Sequence, residues 1–239
     1  MVQFLQAQNV GIAYLEERFG LQQAENEDFF TEWFDNLPEI TELEKQYLDR
    51  VKANFFSLIK RPPILENAVK MVVLSPLLDL SGFYRHPFHI ATEESIEISE
   101  EIIIDIQENT EEIKEIIKGE IDVLVLQHQL WLIVIEAKRS SFSLAKAIPQ
   151  ALTYMLANPK PNNSIYSLVI NGEDFQFIKI TQQDKPIYAL SDRFSLYRRE
   201  NELYQDLRNW HISRVRQMSK ICLFARFIES DAPYNRCLL

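Results

Sequence analysis

Gly119-Glu120-Ile121-Asp122-Val123-Leu124-Val125-Leu126, then Leu130-Trp131-Leu132-Ile133-Val134-Ile135 running into Glu136-Ala137-Lys138, is the passage that decides the fold. Residues 121–126 and 130–135 are short apolar runs rich in β-branched residues, and the second is apolar on both faces, as a central strand is. His128-Gln129 reads as the tip of a hairpin joining them. A turn there sets position 122 opposite about position 135. Glu136 and Lys138 are two residues apart on a strand and project to one face. Asp122 is then within reach of Glu136, and two carboxylates and an ammonium gather where an apolar strand ends.

Working outward, residues 94–107 alternate. Ile96, Ile98, Ile102, Ile104 and Ile106 form one face, and Glu97, Ser99, Glu101, Asp105 and Gln107 the other, which is a half-buried strand. Between these strands Asn109-Thr110-Glu111-Glu112 resembles a capping box and Gly119 suits a helix end, so a short helix or turn is expected there. Downstream, residues 143–157 return to helical period, with Leu144, Ile148, Ala151, Leu152, Met155 and Leu156 on one side and Pro149 inside. Residues 164–171 and 175–181 form strands about an Asn171-Gly172 turn. Residues 186–190 add an edge strand, and 195–228 are helical.

Upstream, residues 1–60 read as helices. Phe29, Phe30, Trp33, Phe34 and Leu37 make one apolar stripe, and the series from Leu43 to Ile59 another, ending at Arg61-Pro62-Pro63. A further helix over 65–74 is closed by Pro76 and Gly82. The order predicts an α/β fold with a central mixed β-sheet flanked by helices. The expected divisions are an N-terminal helical extension over 1–60, a core over 61–190 and a C-terminal helical segment over 191–239.

The 239 residues and 28.1 kDa, with 46% hydrophobic and 25% charged residues, are a globular composition. No apolar run reaches the roughly 18–20 residues of a membrane span, and the N-terminus lacks the pattern of a signal peptide. Two cysteines, Cys222 and Cys237, make neither a disulfide framework nor a zinc cluster, which suits a reducing cytoplasm. The net charge of −10 is uneven: residues 90–122 carry −10 and residues 123–239 carry +5. Bulk acidity therefore does not exclude a phosphate-bearing partner, because the local field decides.

Hard oxygen donors such as Asp122 and Glu136 suit Mg²⁺, which takes one or two carboxylates and keeps several waters. Such an ion acidifies a bound water and neutralises phosphodiester charge. A neighbouring lysine can orient the water or stabilise developing negative charge. The plainer reading is a cross-strand ion pair at a sheet end, worth ~0.2–1 kcal/mol if exposed.

Asp122, a 13-residue gap and Glu136-Ala137-Lys138 resemble the PD-(D/E)XK nuclease superfamily. Gln150 and Tyr154 in PQALTYM resemble the QxxxY motif of its RecB-like members and of the nuclease region of type I restriction enzyme R subunits. Glu66 in ENAVKMVVLSPLLDLSGF resembles the first-helix glutamate of those subunits. The likeness covers about residues 60–180. It implies a restriction-endonuclease-like core and a Mg²⁺-dependent (or Mn²⁺-dependent) deoxyribonuclease. Asp122, Glu136, the Ala137 carbonyl and Glu66 would hold metal, Lys138 would position water, and Gln150 and Tyr154 would organise the substrate side along the DNA backbone.

Two departures stand out: Ile121 replaces the proline of the motif, and Pro149 precedes Gln150. No GxxxxGK[ST] loop is present, so a motor is absent and the expected partners are DNA with a second copy or a separate helicase or specificity subunit. The rival reading is a catalytically silent nuclease-fold module that binds nucleic acid or a protein. A further candidate surface is basic and aromatic: Arg193, Arg198, Arg199, Arg208, Arg214, Arg216 and Lys220, interleaved with Tyr197, Tyr204 and Trp210, residues that can contact phosphates and stack on bases.

Overall fold

In the computed structural model, residues 2–26, 29–30, 38–62, 64–106, 109–127, 130–159, 164–182 and 185–210 are described. Trp33, Phe34, Leu37, Pro63, Gln107, the His128-Gln129 tip, Arg214, Arg216, Lys220, Cys222 and Cys237 lie outside the described residues, as does the part over 211–228 of the helix expected over 195–228. Of its described part, 203–210 is helical, whereas 195 ends a strand and 196–202 are turns, bends and irregular chain.

The chain builds a mixed α/β fold in which helices flank one eight-stranded sheet. Strand β1 (Val2–Gln6) leads through a 3₁₀ turn to helix α1 (Ile12–Phe19), strand β2 (Gln22–Gln23) and helix α2 (Glu42–Leu58). Helix α3 (Glu66–Val69) continues through a π-turn (Lys70–Leu74) into α4 (Ser75–Leu80). Then come β3 (Phe88–Ile106), β4 (Asn109–Gln127), β5 (Leu130–Ala137), α5 (Leu144–Leu156), β6 (Ile165–Ile170), β7 (Asp174–Gln182) and β8 (Pro186–Ser195), and residues 203–210 are helical. From α3 to β6 this is the helix, three antiparallel strands, helix and parallel strand expected of a restriction-endonuclease-like core. No helix among the described residues is long and apolar enough to cross a membrane.

Several sequence expectations change. Residues 2–6 are a strand rather than helix, because they pair in parallel with residues 114–118 of β4. The helix expected after Asn109 is absent: β4 runs from Asn109 to Gln127, paired with β3 on both sides of Asp122. Pro76 does not close the helix over 65–74. The turn before it widens, with the Ser75 N–H donating to the Lys70 carbonyl, and the helix carries on to Leu80. Strand β8 extends to Ser195 and is not the outermost strand, since β2 pairs with it. The helix expected over 143–157 is present, as α5 over 144–156 with Pro149 inside, and the structure adds a capping box of Thr41 and Glu44 at the start of α2.

Two apolar cores lie on opposite faces of the sheet. One packs Leu48, Val51 and Phe55 of α2 and Leu74, Leu77 and Leu78 against Val123, Val125, Ile133 and Ile135. The other packs Leu144, Ile148, Ala151, Leu152 and Met155 of α5 against Ile117, Ile121, Leu124 and Val134. Each of these Leu, Ile, Val, Phe and Met side chains contributes roughly 1.5–3 kcal/mol by leaving water. Burial on both faces is why residues 130–135 read as a continuous apolar run.

Strand β4 positions the site. Strand β3 occupies one of its edges throughout, so β1 (against 114–118) and β5 (against 123–127) share the other, leaving 119–122 between them. A bulge at Val125/Leu126 shifts the hairpin so that Val123, not Asp122, pairs with Ile135. Ile121 and Val123, two apart, nevertheless fall into opposite cores, so the pleat reverses at Asp122. Facing it across the ladder is Glu93, with φ +56°. This irregularity frees the Asp122 side chain from regular alternation.

Candidate active site

Asp122 sits in that gap, largely buried. Its Oδ2 accepts the Ala137 N–H at 2.8 Å, a donor released where the β4–β5 ladder ends at Val123–Ile135. Its Oδ1 lies 2.5 Å from the Lys70 ammonium, which reaches in from the π-turn. Lys70 also lies 2.9 Å from Glu66 Oε1, one helical turn earlier. Burial opposes the Lys70 charge, but the hydrogen bonds and charges of Asp122 and Glu66 outweigh it and raise the lysine's pKa. Asp122 is also raised, by burial first and by the Glu66 charge, with Lys70 opposing.

Glu136 is the last but one residue of β5 and only 1% exposed. Lys138 donates to its Oε1, as the i, i+2 spacing requires, while its Oε2 has no hydrogen-bond partner among the described residues. Burial, followed by the charge of Asp122, pushes Glu136 up to about 8. The Lys138 N–H continues the ladder to Ile170 O at 2.7 Å, and its ammonium lies 5.7 Å from the centre of the Phe142 ring.

Gln150 and Tyr154 do not form a solvated helix face. Both are buried, and the Gln150 amide donates to the Tyr154 hydroxyl at 2.6 Å. The Tyr154 ring packs on Gly119 so closely that a Cβ there would fall 2.5 Å from ring Cε1. The Glu120 backbone also hydrogen-bonds the hydroxyl, and burial, then the charge of Glu136, pushes Tyr154 up to about 12. The pair therefore grips β4 two to three residues before Asp122. Gly119 serves this close approach and not a helix end.

The structure thus brings Glu66, Asp122, Glu136 and Lys138 to one corner, with Gln150 and Tyr154 beneath. Lys70 is the member that no sequence motif points to. Its i+4 spacing from Glu66 is visible in the sequence, but its second bond, to Asp122, depends on the fold.

As donors for a divalent ion, Asp122 and Glu136 with the Ala137 carbonyl supply hard oxygens, and the unpartnered Glu136 Oε2 is a buried carboxylate oxygen open to one more interaction. These residues fit Mg²⁺. Glu66 is turned to Lys70 instead, and among the described residues no group of three His, Cys, Asp or Glu side chains is placed to hold an ion together.

The C-terminal basic and aromatic surface dissolves in part. Trp210 is buried in the first core, 5.3 Å from Phe83 between ring centres, and cannot stack on a base. The Tyr204 hydroxyl donates to Asp49 at 2.7 Å, and the exposed Tyr197 packs edge-on against Phe56.

No family model matches this chain, and no curated protein does. Among solved structures, it is similar to a fragment assigned as the HsdR subunit of a type I restriction enzyme from Vibrio vulnificus YJ016. The TM-score is 0.37 and the identity 16%, over 56% of this chain and 24% of that one. The chain thus spans about a quarter of that structure's length.

Proposed function

We propose that this chain is a Mg²⁺-dependent nuclease of the PD-(D/E)XK type that hydrolyses DNA phosphodiester bonds, as a restriction-type endonuclease does. The observation that carries this reading is Glu136: a carboxylate inside an apolar sheet, paired to Lys138, beside Asp122, with one oxygen unpartnered. A purely structural ion pair gains little by such burial, because desolvation offsets the attraction. Carboxylates perturbed by burial and a charged neighbour cluster at sites that do chemistry.

Asp122, Glu136 and the Ala137 carbonyl would hold the ion, which when bound would acidify a water and neutralise phosphate charge. Lys138 presents an ammonium at the strand exit, where it can orient the attacking water or meet charge developing on the phosphate. Gln150 and Tyr154 act as positioning residues: they fix β4 at Gly119 and thereby the direction of Asp122. The enzyme would work in a reducing cytoplasm, with a second copy or a separate helicase or specificity subunit.

The test is cleavage of supercoiled plasmid and of linear single- and double-stranded DNA with Mg²⁺ or Mn²⁺. Lys138→Ala should slow cutting at least ~100-fold, and EDTA should stop it. The side chain lies beyond the end of β5, so folding should survive. Equal cutting by both proteins would remove the assignment of this site.

The silent-module reading has one observation in its favour. Lys70 already neutralises Asp122 and Glu66, so the acids do not lack a cation. Calorimetric Mn²⁺ titration separates the two: a nuclease should show a site lost in Asp122→Asn, and a silent module none.

A further inference from the structure

Two open depressions flank the start of the helix that carries Glu66 and Lys70, and they share Asn67 as the ridge between them. The first, about 500 Å³, has Lys70 and Asp122 in its lining, with walls that include Met71, Tyr84, Ile90 and Val123. Two of these side chains stay in water although their neighbours are core: Met71 is 74% and Tyr84 50% exposed. The Tyr84 hydroxyl donates to Ser75 Oγ at 2.8 Å, which tethers the ring to α4 at the rim. The second depression, about 450 Å³, is lined by Glu66, Lys138, Arg139 and Phe142 among others.

The chemistry alternates. The first depression sets apolar side chains and a fixed aromatic ring alongside the charged Lys70, Glu93 and Asp122, and the second carries two cations, Lys138 and Arg139, beside Glu66. A single nucleic-acid strand has the same alternation, a flat apolar base followed by a phosphate, and proteins that bind such strands pair stacking aromatics with basic residues. The first depression is of small-ligand size and opens on its own side of Asp122. A base held within a duplex presents only its edge and cannot lay its face on Tyr84.

We propose that the Tyr84–Met71 depression is a binding site for one unpaired nucleobase of the substrate strand, with the adjoining phosphate directed over Asn67 toward Lys138 and Arg139. The site takes DNA with a single-stranded segment, such as a frayed end, overhang or loop, in preference to uninterrupted duplex. This inference rests on the nuclease reading for its substrate, but it is measured by binding alone.

The probe is a fluorescein-labelled oligothymidylate followed by anisotropy in EDTA and again in Ca²⁺, beside an abasic strand of equal length and a blunt duplex. Wild type should bind the thymidylate about fivefold or more tightly than the abasic strand, as a stacked base worth ~1–3 kcal/mol requires. Tyr84→Ala should erase the difference and Tyr84→Phe should keep it. Since Tyr84 is half-exposed, circular dichroism should show both variants folded. Equal binding of thymidylate and abasic strand by wild type, or an unchanged preference in Tyr84→Ala, overturns the proposal. Cleavage without base preference overturns it and leaves the nuclease reading standing. Base preference without cleavage upholds it and removes the nuclease reading. Failure to bind any DNA overturns both.

Discussion

Glu136→Gln is expected to make the protein more stable at pH 8 while abolishing cleavage. The Glu136 carboxyl, ordinarily near 4.5, is held at about 8 by burial and by Asp122. Between those values the folded protein keeps a proton that the unfolded chain gives up. Stability therefore falls as pH rises through this window and levels off above it. At ~1.36 kcal/mol per pH unit the loss is up to roughly 5 kcal/mol. Glutamine carries no such penalty, and the opposing attraction of Lys138 is already contained in the raised Glu136 value.

Urea unfolding at pH 5, 6.5 and 8 is the check: stability should fall more steeply with pH in wild type than in the variant, in which the raised Asp122 and Asp206 remain. Equal slopes would mean that Glu136 stays ionised throughout. In the cleavage assay the variant lacks one of two carboxylates, so a fall of at least ~1000-fold is expected if the nuclease reading is correct. A residue whose removal stabilises the fold while ending the activity is maintained for function.

The second large effect is at Gly119. An alanine Cβ there would lie 2.5 Å from Tyr154 Cε1 and 2.9 Å from the Ala7 Cβ, so the ring or the strand must move. Overpacking of this kind costs about 1–3 kcal/mol, which lowers the melting temperature of a chain of this size by several degrees. Displacing the ring also breaks the Gln150–Tyr154 bond and loosens β4 just ahead of Asp122. The measurement is a double-mutant cycle with Tyr154→Leu, which removes the clashing edge. If Gly119→Ala costs as much when combined with Tyr154→Leu as it does in wild type, Tyr154 is not what it meets.

What could be read beforehand follows the range of the interactions involved. Asp122, Glu136 and Lys138 were legible because strand alternation and one turn bring them together within twenty residues of chain. Residues 109–118 were misread because Ile113, Ile116 and Ile117 fit a helical spacing as well as a pleated one. Only pairing with β1 and β3 decides between them. The burial of Gln150 and Tyr154 depends on Gly119 lacking a side chain, which no periodicity reports. Trp210 looked like a stacking platform because its partners, Phe83 and Phe177, are far off in sequence. Lys70 needed the widened turn before Pro76 and the reversed pleat at Asp122, two irregularities that a regular helix and strand do not contain.

The pairing of the first strands also sets an order of assembly. The β3–β4 hairpin closes locally and can form in microseconds, whereas Val2 must wait for Lys114, and Tyr188 bonds to Gln23 across 165 residues. Contacts that distant must overcome their loop-closure entropy before they add any stability. The amino-terminal strands, made first by the ribosome, are therefore among the last to find their places. Until they do, residues 114–118 present a bare β edge, and the unfinished sheet is most open to mispairing with another chain.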